Sequence, residues 1–238
     1  KGITLRNLQR YEEALQALDR ALELDPEDVY AWYTRGLTLL NLQKYEEALQ
    51  VFDRVLELDP EDVYTWVGKG AALGNLQKYE EALQAFDRAL ELDPEDVYTW
   101  FNKGSVHLKI SEQEFKMNNF GNAIKNLDYT MNFFSKIWDK KEEEIKEEIM
   151  NFFKDLIDSK KTEALDTSLK IILKKKEELT EFLEPISVGL EIVKTRNIKK
   201  FYDLQVEKRD VVVDIVRKLT GSEELILDEY RRSRRKRF

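Results

Sequence analysis

Apolar residues in the first half of this chain step by threes and fours. Between Tyr45 and Leu58 the set Ala48, Leu49, Phe52, Val55 and Leu56 falls on one stripe, with charged residues between. That is the pattern of a helix with one buried face. A companion helix is expected from about Tyr30 to Leu42, so the two form a hairpin. The whole pattern then returns. Val29–Asp62 and Val63–Asp96 align without a gap and share 25 of 34 residues. A near copy fills 1–28, without most of its first helix, and a divergent copy starts at Val97. A fixed period of this length means stacked helical hairpins, each burying its apolar face on the next. Asp59-Pro60-Glu61-Asp62 is the expected exit turn: proline cannot continue the old helix, and acidic groups suit the start of the next. Gly36, Gly70 and Gly104 stand inside first helices at a cost of about 1 kcal/mol each relative to Ala. Close helix–helix approach, where a Cβ would clash, is the expected reason.

Trp32, Gly36, Tyr45, Ala48, Phe52 and Pro60 fall in the order and spacing of the tetratricopeptide repeat. Trp66, Gly70, Tyr79, Ala82, Phe86, Ala89 and Pro94 repeat it. Gly2, Tyr11, Ala14, Ala21 and Pro26 remain in the first copy, and Trp100, Gly104, Phe120 and Ala123 in the fourth. The chain thus resembles that family over roughly 1–134. The fold class expected is all-α: a helix-turn-helix solenoid followed by a helical C-terminal region, 135–238. Phe120 comes seven residues later than the period requires, so about two helical turns are inserted near Ile110–Met117. The fourth copy also lacks the Asp-Pro-Glu-Asp exit.

Beyond 134 no family pattern is recognisable in the residues. Ile124, Leu127, Met131, Phe134, Trp138, Ile145, Ile149, Phe152 and Leu156 step mostly by three, four or seven with no Gly or Pro between 122 and 161. A long helix is expected to about 158, with a break near Lys140–Lys141. Further helices are expected near 163–183, 186–199, 201–219 and 222–235, with Pro185 and Gly221 as boundaries. Their simplest role is to cap the apolar end of the array.

The resemblance implies a concave face, lined by first helices, that holds an extended peptide or a helix of a partner. The stripe i, i+4, i+7 reads Tyr33, Leu37, Leu40 in the second copy and Val67, Ala71, Gly74 in the third. In the fourth it reads Phe101, Ser105, Leu108. Tyr30, Tyr64 and Tyr98 add an aromatic ladder; Asn41 and Asn75 add amides able to bond a ligand backbone. The second and third copies differ at nine positions, seven of them in the first helix and three on this stripe. The scaffold was copied while the stripe diversified, and the small third set between bulky neighbours implies a depression for an apolar side chain. The bland alternative is drift, with these residues packed on neighbouring helices. One subclass of the family grips a C-terminal carboxylate with Lys, Arg and Asn on this stripe. Here those positions are apolar or small, which argues against that ligand.

Charge changes the picture in two places. Residues 1–100 carry 10 Lys and Arg against 21 Asp and Glu, which favours a basic partner. The end is the reverse: Arg231, Arg232, Arg234, Arg235, Lys236 and Arg237 form a cluster suited to phosphates, an acidic protein or an anionic surface. No base-reading motif accompanies it, and a solvated tail is the plain alternative. One His and no Cys remove the common nucleophile triads and zinc sites. His107 is expected as a packing residue, and no metal, cofactor or enzymatic activity is expected. Asp203, Glu207, Lys208 and Asp210 make at most a weak acidic cluster. No apolar run reaches the ~20 residues of a membrane helix, no signal peptide is visible, and the absence of cysteine suits a cytoplasmic setting. The chain begins at Lys1 inside a repeat, so residues upstream are expected. The reading is a protein-interaction scaffold. The alternatives are a homo-oligomerising module built on the long helix, and a nucleic-acid-associated adaptor using the tail.

Overall fold

The computed structural model describes residues 2–195, 199–222 and 226. Among them all regular structure is helical. The chain divides into two compact units, Lys1–Val106 and His107–Phe238.

The first unit is the repeat array. Its helices are α1 (Gly2–Asn7), α2 (Tyr11–Leu24), α3 (Val29–Asn41), α4 (Tyr45–Leu58), α5 (Val63–Asn75), α6 (Tyr79–Leu92) and the start of α7 (Val97–Lys116). Each packs on the next through α6, and α3 also neighbours α1 on one side and α5 on the other. The first helices therefore share one face. Between the helices of each hairpin the chain turns through Gln9, Gln43 and Gln77, all left-handed (φ 58°, 59° and 59°). Lys44 N–H then reaches back to the Leu39 carbonyl at 2.9 Å, and Lys78 N–H to Leu73 at 2.9 Å. The exit turns behave as their residues require. Asp28 and Asp62 accept hydrogen bonds from the Ala31 and Thr65 amides at 3.0 and 3.2 Å, which satisfies an orphan donor at each helix start.

Two periodic devices hold the array together, one within each hairpin and one between successive hairpins. The first is steric. A Cβ on Gly36 would lie 2.5 Å from the Phe52 ring, and one on Gly70 would lie 2.5 Å from Phe86. Phe52 also abuts Gly68, at 2.7 Å from an added Cβ. Close approach is thus the reason for the mid-helix glycines. The second is electrostatic. Arg35 pairs with Asp19 at 2.8 Å, Lys69 with Asp53 at 2.6 Å, and Lys103 with Asp87. Each cation also lies over a tryptophan, at 5.9, 5.4 and 6.0 Å from the Trp32, Trp66 and Trp100 rings. Those indoles donate to the Pro26, Pro60 and Pro94 carbonyls. The pairs are partly exposed, so each contributes about 1 kcal/mol or less; their value is in fixing the register between hairpins.

The second unit contains the rest of α7, then α8 (Phe120–Asp158), α9 (Thr162–Lys175), α10 (Thr180–Thr195) after a 3-10 turn at Glu177–Leu179, α11 (Lys199–Asp203) and α12 (Val206–Thr220). α7 has 20 residues against 13 in α5, which is the inserted pair of turns. α8 runs 39 residues and is broken at Lys141 (φ −137°, ψ 25°), where the sequence places the break.

The second half of α8 and α9 make a hairpin with the geometry of the repeats. Lys160 is left-handed (φ 54°) like Gln43, and Lys161 N–H bonds the Leu156 carbonyl at 2.9 Å. α9 is 14 residues long, as α4 is. Residues 142–176 are thus a fifth hairpin of the same build. Aligned on the turn, Phe153 stands where Gly36 does and Leu169 where Phe52 does, so bulk has moved from the second helix to the first.

Pro185 is a correction. It lies inside α10 rather than at its edge. The ring leaves the Glu181 carbonyl without its helical donor. Lys208 Nζ reaches that oxygen at 3.3 Å and the Glu184 carboxylate at 3.0 Å, so a cation from α12 occupies the broken turn. The expected helices at 163–183 and 186–199 are therefore 162–175 and 180–195. The expected helix at 222–235 lies outside the described residues. Gly221 does end α12, at φ 79°.

The second unit also holds carboxyl groups that favour the proton. Burial pushes Glu112 up, opposed by Lys116 and reinforced by Asp155. Burial pushes Glu148 up, opposed by Lys109 and reinforced by Glu147. A carboxyl whose folded pKa is raised binds its proton more tightly when folded, so stability increases as pH falls from neutral toward the ordinary glutamate range. Asp166, held down by hydrogen bonds from Lys170 and Lys194, loses stability only below the ordinary carboxylate range. The urea midpoint is expected to fall as pH rises from the ordinary glutamate range to pH 8, and Glu112→Gln is expected to shrink that fall. A pH dependence unchanged in the Glu112→Gln variant would contradict this.

Candidate partner-binding face

The stripe on the first helices is built of four layers within the first unit. Outermost are Tyr30, Tyr64 and Tyr98, exposed to 61%, 65% and 61%, one per repeat in strict register. Three residues on, and therefore on the same helix face, come Tyr33, Val67 and Phe101, each half-buried. Leu37 and Ala71 follow, also half-buried, and then Leu40, half-buried, and Gly74, buried. The sequence-predicted set is thus brought onto one face, but with unequal freedom. Tyr33, Leu37 and Leu40 pack against the buried cluster of Leu39, Ala48, Val51 and Phe52, and the Tyr33 ring centroid lies 6.4 Å from that of Phe52. Gly74 lies close to Val106, whose Cγ2 would be 3.3 Å from an added Cβ. Asn41 and Asn75 are exposed. Asn75 Nδ2 donates to the Ala71 carbonyl of its own helix at 2.9 Å, leaving the amide oxygen as its outward group.

The most accessible aromatic surface is therefore the tyrosine ladder, with the Val67–Ala71–Gly74 depression beside its middle rung. Tyr33 carries the polar edge. Its phenol is pushed up to about 12, first by burial and then by the Asp62 carboxylate; Tyr64 and Tyr30 add to this and Arg6 opposes it. It stays a hydrogen-bond donor throughout the physiological range.

Other sequence candidates fall elsewhere. His107 is 9% exposed, bonded through Nδ1 to Asn126 Oδ1 at 2.8 Å, and packed on Tyr129 and Phe133 with ring centroids at 5.2 and 5.4 Å. Lys208 is occupied by Glu184 and the Glu181 carbonyl. Among the described residues no three acidic or histidine side chains gather to hold a metal, and no helix is long and apolar enough to cross a membrane. Arg231, Arg232, Arg234, Arg235, Lys236 and Arg237 lie outside the described residues. The Trp–cation–Asp links went unnoticed in the sequence, although a constant spacing of 16 residues between Asp19 and Arg35, Asp53 and Lys69, and Asp87 and Lys103 was there to find them.

Tetratricopeptide repeat profiles match residues 1–63 and 63–96. Residues 1–96 are therefore tetratricopeptide repeats, in an all-α solenoid fold. Among solved structures it is similar to a MamA protein, with 17% identity over 76% of this chain and 91% of that one, at a TM-score of 0.50. It is also similar to a MamA fragment from Desulfovibrio magneticus RS-1, with 26% identity over 56% and 71% of the two chains and a TM-score of 0.46. A third is the second tetratricopeptide domain of human RPAP3 in complex with an HSP70 peptide: 26% identity over 44% and 88%, TM-score 0.43. No curated protein matches the sequence.

Proposed function

We propose that this protein is an interaction scaffold that holds an extended segment or a helix of a partner protein along the first-helix face of its second to fourth repeats. The observation that carries the reading is the ladder of Tyr30, Tyr64 and Tyr98. Three large aromatic side chains in register, each more than half exposed, give up apolar area to water in a scaffold whose other repeated aromatics are buried or half-buried. Rigid tyrosines of this kind suit recognition because they offer contact area with few rotatable bonds. The Val67–Ala71–Gly74 depression receives an apolar anchor. Asn41, Asn75 and the Tyr33 hydroxyl supply hydrogen bonds to the partner backbone. The surplus of acidic residues over 1–100 favours a partner with basic flanks, through faster encounter more than through tighter contact.

The test is capture from a lysate by the parent chain and by a Tyr64→Ala, Tyr98→Ala double variant. These side chains are exposed, so the variant is expected to fold as the parent does by circular dichroism. A partner held by the parent is expected to weaken at least about tenfold, given losses above 1 kcal/mol for each anchoring aromatic. Equal capture by both proteins would overturn the reading.

A further inference from the structure

The fifth hairpin carries its own version of the stripe. Aligned on the turn at Lys160, Glu147, Met150 and Lys154 occupy the positions of Tyr30, Tyr33 and Leu37. They line a groove of about 420 Å³ together with Glu143, Glu144, Lys146, Asn151 and the Phe182 ring. Most charges here are already matched. Lys146 bridges Glu142 and Glu143 at 2.8 and 3.1 Å, and Lys141 holds Glu144 at 2.8 Å. Two are not: among the described residues no ion pair reaches Glu147 or Lys154. They are seven residues apart on one helix face, about 10.5 Å along the axis. Half-buried Met150 and Phe182 lie between and beside them. The strip therefore reads negative, apolar, positive.

We propose that this strip is a self-complementary docking face, and that its occupant is a second copy of this chain. Two such strips laid antiparallel about a two-fold axis near Met150 and Asn151 place Glu147 of each copy opposite Lys154 of the other, and Met150 against its counterpart. A two-fold interface uses every contact twice, so one unmatched pair per chain becomes two complementary pairs. The same register sets Glu143 opposite Asp158, but each already has a cation beside it, Lys146 at 3.1 Å and Lys218 at 3.0 Å. The eight lining residues are fewer than the roughly 20–30 per side of a standard stable interface. The dimer is accordingly weak and concentration-dependent, a contact that gains strength when a partner holds two copies together.

Sedimentation velocity across a wide concentration range tests this. The parent is expected to shift from monomer toward dimer as concentration rises. Glu147→Lys and Lys154→Glu, both at exposed positions, are each expected to weaken association at least about tenfold, because each creates two like-charge contacts. The double variant E147K/K154E is expected to recover the parent's association. An equimolar mixture of the two single variants is expected to do the same, since the mixed pair restores both matches. A parent that stays monomeric throughout overturns the proposal. So does a dimer indifferent to both reversals, and so does a double variant that fails to recover.

Discussion

Phe52→Ala is expected to destabilise the protein by about 3–5 kcal/mol, the range for losing a buried phenylalanine without collapse of the site. Phe52 is fully buried, and its ring fills the space left by two missing Cβ atoms, at Gly36 and at Gly68. These glycines belong to α3 and α5, so one side chain joins three helices from two repeats. With no Cβ on either wall, little can relax into the cavity. The loss should also be felt across the repeat boundary, since stability in such arrays is a sum of each hairpin's own and its interfaces with neighbours. Chemical denaturation of the variant should show a lower midpoint and a less cooperative transition. A midpoint within experimental error of the parent would contradict the packing described here.

Gly70→Ala has an expected effect of opposite sign to the usual one. In an exposed helix interior this change stabilises by about 1 kcal/mol. Here the new Cβ would lie 2.5 Å from Phe86 Cε1 and 2.8 Å from two further ring atoms. Phe86 is itself fully buried, so the ring has no free space to enter. Overpacking of this kind costs about 1–3 kcal/mol, and the variant should melt at a lower temperature than the parent. Combining it with Phe86→Leu should recover part of the loss, because the smaller side chain withdraws the atoms that clash. A Gly70→Ala variant more stable than the parent would show that the glycine is not there for close approach.

These two positions also show what the sequence can reveal. Gly36 and Gly70 are costly in a helix unless something needs the space, and Phe52 and Phe86 recur sixteen residues later, so the contact is readable from spacing alone. The break in α8 has a local signature too: the steps of three and four skip from Trp138 to Ile145, and Lys140–Lys141 lie in the wholly charged run between. Pro185 was misread because its compensation is not local. Lys208, on another helix, supplies the donor that the proline lacks, and no pattern near Pro185 announces it. The fifth hairpin was hidden because its Gly–Phe contact is replaced by Phe153 and Leu169, and its turn residue by Lys160. The geometry of the turn persists after the residues that identify it have gone.

The candidate face was legible in part. Comparing the second and third copies singled out the helix face on which the repeats differ. It did not separate residues that point outward from those drawn into the core. Tyr33, Leu37 and Leu40 share the stripe yet lean on the Phe52 cluster, because a helix face merges into its buried side over a few tens of degrees. The tyrosines were visible as a ladder, but their exposure follows from where each hairpin sits on the next, which depends on contacts such as Lys69 with Asp53 and Trp66.

The most direct test of the scaffold reading is site-specific photo-crosslinking in a lysate of the source cells. A photoreactive phenylalanine analogue is placed at position 64 in one sample and at Gln50, exposed on α4, in another. Covalent capture of a protein from position 64 and not from position 50 is the predicted result. Capture from position 50 alone, or equally from both, would contradict a binding face on the first helices.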